Sequence, residues 1–206
     1  KDITKEIITE KELRAFIRFI IDNQTVVNLS LLFMLLSGLR VGEMSTLKFD
    51  DFISDTSFKV QRTETFYKKG DKWVYEVSDR PKTDAGIRTA FIPQQYAWIV
   101  KKLRKLNPFS EYVCSKNGKR IRSYSLRNHL YGICRKLPEF TEEKSTHKLR
   151  KTFCSILLDQ GFDNNFIISV MGHTDIKTSE QYYHFDRKSD MQKQAMIDNI
   201  VEFKIV

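Results

Sequence analysis

The spacing of apolar residues changes period along the chain, and each change marks a new kind of element. Thr9-Glu10-Lys11-Glu12 has the form of a capping box. Behind it Leu13, Phe16, Ile17, Ile20 and Ile21 recur at helical spacing, which predicts an amphipathic helix broken at Asp22-Asn23-Gln24. Residues 26–37 are apolar almost all round, so they predict a buried helix that stops at Ser37-Gly38. A short helix is predicted over 40–47. The period then falls to two. Residues 58–67, 73–77 and 87–92 alternate, are rich in Thr, Val and aromatics, and are separated by Lys68-Lys69-Gly70-Asp71 and Pro81-Lys82-Thr83-Asp84-Ala85-Gly86. They predict a three-stranded antiparallel meander. Helical spacing returns over 95–106, 123–137, 145–159, 164–171, 178–183 and 188–201, with a turn at Asn117-Gly118. The pattern predicts an α+β fold, mostly helical, with a small three-stranded antiparallel sheet.

The length, 206 residues, suits one domain and is ample for a core without disulfide or metal. Cys114, Cys134 and Cys154 are odd in number and form no CxxC; His129, His147, His173 and His184 make no HExxH. Neither a disulfide framework nor a zinc site is expected. The apolar stretch 26–39 falls short of the ~20 residues of a membrane span, and the first eight residues carry mixed charge with no signal-peptide core. Lys1 in place of Met suggests a fragment of a longer protein. Charge changes the picture more. Thirty-five basic residues stand against 26 acidic ones, a net +9, which is a footprint of nucleic-acid binding shared by other basic proteins.

Four segments could carry chemistry. In Gly38-Leu39-Arg40-Val41-Gly42-Glu43 an arginine follows the end of the buried helix; alone, Arg40 and Glu43 read equally well as a surface pair. His147 and Arg150 share a helix face in Thr146-His147-Lys148-Leu149-Arg150, where both can donate to one phosphate; taken alone, an ordinary basic helix start, with His147 a cap and Arg150 solvated, is the better reading. Gly172 turns the chain at His173. Tyr182-Tyr183 offers a hydroxyl nucleophile, and adjacent helical residues point ~100° apart, so one at most serves a given site. Asp50-Asp51 reads as a solvated loop. A basic band, Lys101-Lys102, Arg104-Lys105, Lys119-Arg120, Arg122 and Arg127, with Tyr124 among them, suits phosphate contacts or a plain solvated face.

Taken together and in this order, the boxes GLRVGE, THKLRKTF and MGHTDIKTSEQYYH resemble the tyrosine recombinase (phage integrase) family, with integrases of conjugative transposons and phages of Gram-positive bacteria most similar in look. The resemblance covers the chain from about Thr9, and PKTDAGIRTAFIP matches the family's lysine-bearing hairpin. It implies a site-specific recombinase or integrase that cleaves and rejoins DNA through a 3′-phosphotyrosine, needing neither metal nor cofactor. Arg40 and Arg150 would grip the scissile phosphate, with Glu43 orienting Arg40. His147 and His173 would hydrogen-bond, His147 doubling as base. Lys82 would protonate the leaving 5′ oxygen, with Lys68, Lys69 and Lys72 as rivals. Tyr182 would attack, nine residues after His173 and two before His184, with Tyr183 the rival. Arg120, Arg122, Tyr124 and Arg127 would contact DNA.

The resemblance further implies a catalytic domain spanning 1–206, its core at about 9–187, and a tail at 188–206 suited to docking on a neighbouring protomer. The family's N-terminal DNA-clamping domain is absent from these residues. Double-stranded DNA, a tetramer of the full-length protein on DNA, accessory DNA-bending or excisionase proteins, and a bacterial cytoplasmic, nucleoid-associated setting follow from the same likeness. A topoisomerase IB-like relaxing enzyme and a non-catalytic DNA-binding relative are the alternatives.

Overall fold

The computed structural model describes residues 7–79, 87–172 and 190–203. Their order is α1 (Glu10–Asp22), α2 (Val26–Ser37), α3 (Val41–Thr46), β1 (Ser57–Val60), β2 (Thr63–Lys69), β3 (Lys72–Ser78), β4 (Arg88–Phe91), α4 (Trp98–Leu106), β5 (Ser115–Lys116), β6 (Lys119–Arg120), α5 (Ser123–Lys136), α6 (Thr146–Asp159), α7 (Asn164–Met171) and α8 (Asp190–Asp198). The predicted α+β character holds. The predicted helix over 178–183 and the turn at 81–86 lie outside the described residues.

Helix α2 is the spine. It contacts α1, α3, α4, α5, α6 and β4, and every residue from Asn28 to Ser37 is buried. Its lack of a polar face is why: a helix apolar all round lowers its free energy only when surrounded. The capping box at Thr9 forms as expected, with the Thr9 amide donating to Glu12 Oε2 at 2.7 Å. Gly38 ends α2 in the left-handed region (φ 66°), so the chain reverses within one residue and Arg40 emerges at the start of α3.

The strands are antiparallel but pair differently from the predicted meander. Among the described residues there are three two-stranded sheets: β1 with β4, β2 with β3, and β5 with β6. The stretch 58–67 is not one strand. It breaks at Gln61 and Arg62, whose side chains both donate to Asp51. Asp51 is therefore no solvated loop residue; it is buried, and it also accepts from the Lys48 amide at 2.8 Å. That anchor turns the chain, so β1 lies against β4 while β2 and β3 project as a separate hairpin. On the hairpin Phe66 and Trp73 are exposed and in ring contact, with centroids 5.9 Å apart.

Helix α8 lies against the chain's own β4. Ile197, Ile200 and Phe203 are buried there, and Phe203 stacks on Phe153 of α6. Gln194 donates to the Ile92 carbonyl at 2.8 Å. None of the described helices is long and apolar enough to cross a membrane.

Candidate active site

Three arginines from three distant parts of the chain meet at the C-terminal end of α7. Arg88, on β4, donates through Nε to the Val170 carbonyl at 2.8 Å. Arg150, on α6, donates through Nη2 to the next carbonyl, Met171. Arg40, at the start of α3, donates through Nη2 to the one after, Gly172, at 3.1 Å. The last carbonyls of a helix have no intrahelical partner and carry the negative end of its dipole, so guanidinium groups are favoured there. Arg150 also donates to the Gly38 carbonyl, which closes the end of α2 against the end of α7.

Glu43 joins the cluster from α3. Its carboxylate accepts from the Arg40 backbone amide (2.8 Å) and from Arg40 Nη1 (2.9 Å). It also takes both Arg88 Nη atoms, at 3.0 and 2.9 Å, as a two-pronged pair. Glu43, Arg88 and Arg150 are buried, whereas the Arg40 side chain is 43% exposed. Burial alone would raise the Glu43 pKa, but hydrogen bonds and charge from Arg88, the Arg40 amide and the charge of Arg150 together hold it below the ordinary value. Burial, then the nearby Arg40 charge, push the Arg150 pKa down to about 9, with Glu43 acting against them. One carboxylate thus faces three guanidiniums, and the imbalance favours an incoming anion.

His147 lies one turn before Arg150 on α6 and is exposed. Partial burial, followed by the charges of Lys151, Arg150, Lys148 and Arg40, lowers its pKa from 6.5. A neutral imidazole at pH 7 suits an acceptor of a proton. The expected titration midpoint, read from the ring signals of His147 by NMR, therefore lies below 6.5. Because the folded state disfavours the charged ring, any stability it lends is present above that range and lost as pH falls through the lowered pKa. A midpoint above 6.5 would contradict this charge environment.

Of the predicted site residues, the structure brings Arg40, Glu43, His147 and Arg150 to one place. Lys82, His173 and Tyr182 lie outside the described residues. Arg120 is engaged internally: it donates to Glu64, which is buried and also accepts from the Ser123 amide at 2.9 Å, and to Ser45 at 3.1 Å. Arg122 sits 4.9 Å from the Tyr75 ring centre and Arg127 5.4 Å from that of Tyr124. These rings, with Phe66, Val41 and Thr146, line a shallow groove between the β2–β3 hairpin and α5.

Sequence reasoning missed Arg88. The signal was there: in 88–92 it shares an inward face with Ala90 and Ile92, and an arginine on the buried face of a strand needs a partner. It missed Glu64 as well, whose burial follows from the hairpin packing on α3.

A model of the phage integrase family matches residues 6–189. The chain belongs to the phage integrase family. Among relatives, tyrosine recombinase XerD of Rickettsia prowazekii (strain Madrid E) is 29% identical over 161 residues, 72% of this chain and 47% of that protein. Tyrosine recombinase XerA of Thermococcus kodakarensis (strain ATCC BAA-918 / JCM 12380 / KOD1) is 27% identical over 177 residues, 85% of this chain and 56% of that one. The chain spans about half the length of the curated relatives it matches. Its fold is similar to that of the Tn1549 transposon integrase solved with transposon right end DNA, with TM-score 0.67, 20% identity, and 88% of this chain and 62% of that one covered. XerA recombinase superposes with TM-score 0.64 at 20% identity, over 92% and 63%. The tyrosine recombinase catalytic fold expected from the three boxes is the fold observed.

Proposed function

We propose that this chain is the catalytic part of a site-specific DNA recombinase that integrates or excises a mobile element. The observation that carries this reading is the convergence of Arg40 and Arg150 on successive carbonyls of one helix end, with Glu43 bracing Arg40. Two guanidiniums held so close favour a dianionic transition state more than a monoanionic ground state, which is how fixed donors accelerate transfer at phosphorus. Family membership and the recombinase names of the relatives support the same reading.

In the proposed reaction the Tyr182 hydroxyl gives its proton to a base, for which neutral His147 is suited. Its oxygen attacks the scissile phosphorus. A bond forms between phosphorus and the tyrosine oxygen, and the bond to the 5′ oxygen breaks. Lys82 supplies the proton that the departing 5′ oxygen needs, and His173 adds a hydrogen bond to the phosphate. The 3′-phosphotyrosine keeps the energy of the phosphodiester, so a 5′ hydroxyl from a second strand rejoins it without ATP. Tyr124 and Arg127 line the groove and Arg122 lies over the Tyr75 ring beside it, and these suit the DNA backbone, whereas Arg120 braces the hairpin that forms one wall of that groove. Assembly as a tetramer on double-stranded DNA, with residues 188–206 exchanged between protomers, and a cytoplasmic, nucleoid-associated setting belong to this proposal.

The test is covalent capture. Nicked duplexes tiled across the DNA flanking the coding sequence of this chain are incubated with the protein, denatured, and resolved. The expected product is an adduct that survives denaturation and forms with chelator present, its nucleotides mapped by mass spectrometry to the peptide bearing Tyr182. Binding without an adduct on any duplex would overturn the reading. So would an adduct on a residue other than tyrosine. Attachment at Tyr183 would move the nucleophile by one position, and relaxation of plasmids without those ends would indicate a topoisomerase.

A further inference from the structure

We propose that Arg88 is a positioning residue for this reaction: by clamping Glu43 to the end of α7, it sets the aim of Arg40. The proposal rests on reading Arg40 as a phosphate-gripping group. Glu43 and Arg88 form a buried pair, their side chains 5% and 4% exposed, while Arg40 reaches outward from it. Glu43 Oε1 bonds one Nη of each arginine, so the place of that oxygen dictates the place of the Arg40 fork. Arg88 fixes the carboxylate at both oxygens and spends its Nε on Val170, so the whole guanidinium is held in one plane.

The clamp also ties together the supports of two further groups. Val170 comes three residues before His173, and Arg88 comes six residues after Lys82 along the chain. Arg40 touches the Gly172 carbonyl, so moving the end of α7 relative to Glu43 would pull its guanidinium between two anchors. Arg88 therefore registers α3, β4 and α7 against one another at the point where Arg40 leaves the protein.

A purely structural reading accounts for less. Buried ion pairs contribute little net stability over an apolar side chain of similar size, because desolvation offsets the attraction. A methionine on β4 would fill the space, but it would fix neither Glu43 nor Val170, and by leaving the buried Glu43 without its two-pronged partner it would lower Tm as well. The groups that face Glu43 are Arg40 on α3, Arg88 on β4 and Arg150 on α6, and Arg88 leads those that keep its carboxyl ionised against burial. Without Arg88 the carboxyl protonates at higher pH, and a neutral Glu43 holds Arg40 weakly.

The experiment uses Arg88→Met and Arg88→Lys in this chain, read first by ¹⁵N NMR of the Arg40 guanidinium, assigned through its loss in Arg40→Lys. The expected wild-type result is slow rotation about the Arg40 guanidinium bonds, unchanged between about pH 5 and 8, a window chosen around the carboxylate and imidazole ranges. Arg88→Met should show fast rotation and release of Arg40 as pH falls, at a higher midpoint than wild type. Arg88→Lys, which keeps the charge but cannot span both oxygens and Val170, should lie between. Adduct formation should fall roughly 100-fold in Arg88→Met, as a misplacement of about 1 Å does in other sites, with DNA affinity unchanged. An Arg40 fork that stays locked in Arg88→Met overturns the proposal. If that variant fails to fold, a locked fork in Arg88→Lys, with rates following only the loss in Tm, overturns it equally. The NMR readout needs no adduct, so a wild type that binds DNA without an adduct defeats the recombinase reading and leaves this test standing.

Discussion

Arg150→Ala is expected to lower the rate of adduct formation by about 10²–10³-fold, the usual cost of removing one preorganised donor to a developing oxyanion, and to loosen the fold as well. Arg150 is buried, and its two Nη atoms hold the carbonyls of Gly38 and Met171. Alanine leaves both carbonyls without that partner, at about 1–3 kcal/mol each. Removing a guanidinium whose pKa is already pushed down to about 9 by burial and Arg40 gives part of this back. A net loss of about 2 kcal/mol follows, or a fall in Tm of roughly 4–8 °C for a domain of this size. The same imbalance of charge predicts that phosphate or sulfate raises the Tm of the wild type and raises that of Arg150→Ala less. Calorimetry with and without phosphate, together with single-turnover capture, checks both parts. A variant that keeps full rate would remove Arg150 from the reaction.

Gly38→Ala is expected to be the most damaging of the small substitutions. A Cβ at Gly38 would lie 2.5 Å from Phe153 Cδ1 and 2.9 Å from Met171 Sδ, both on buried side chains. The residue also has φ 66°, where an L side chain costs about 1–2 kcal/mol. Overpacking a filled core adds about 1–3 kcal/mol. The sum, about 3 kcal/mol, lowers Tm by roughly 6–12 °C. Because the Gly38 carbonyl accepts from Arg150, any shift that relieves the clash also displaces that guanidinium. Adduct formation is thus expected to fall at temperatures where the variant is still fully folded. Thermal unfolding, and capture well below the new Tm, measure the two effects separately.

Much of this is legible in the sequence. The capping box at Thr9, the all-apolar run of α2 and the glycines at its end and at the end of α7 are local signals, and the elements they predict are present. The three boxes named the family, and three of the described site residues, Arg40, Glu43 and Arg150, lie in one bonded cluster with His147 beside it. The strand pairing was not legible. Alternation marks a strand but not its partner, and here the partner is chosen by Asp51, which breaks 58–67 in two by gripping Gln61 and Arg62. The pairing of Arg120 was not legible for a similar reason: a basic residue in a basic band suits phosphate contacts or solvent until Glu64 is brought to it from the hairpin.

What the sequence determined by itself were the kinds of element, their ends, and the chemical types at the three boxes, because helix caps, periodicity and glycine turns act over a few neighbouring residues. What only the tertiary structure decided was which charges meet. Arg88 on β4, Glu43 on α3, Arg150 on α6 and the end of α7 have no local reason to associate. Packing around α2 sets their distances, and a buried carboxylate then takes its partners from whatever guanidinium groups the packing delivers, since leaving either charge buried alone would cost several kcal/mol.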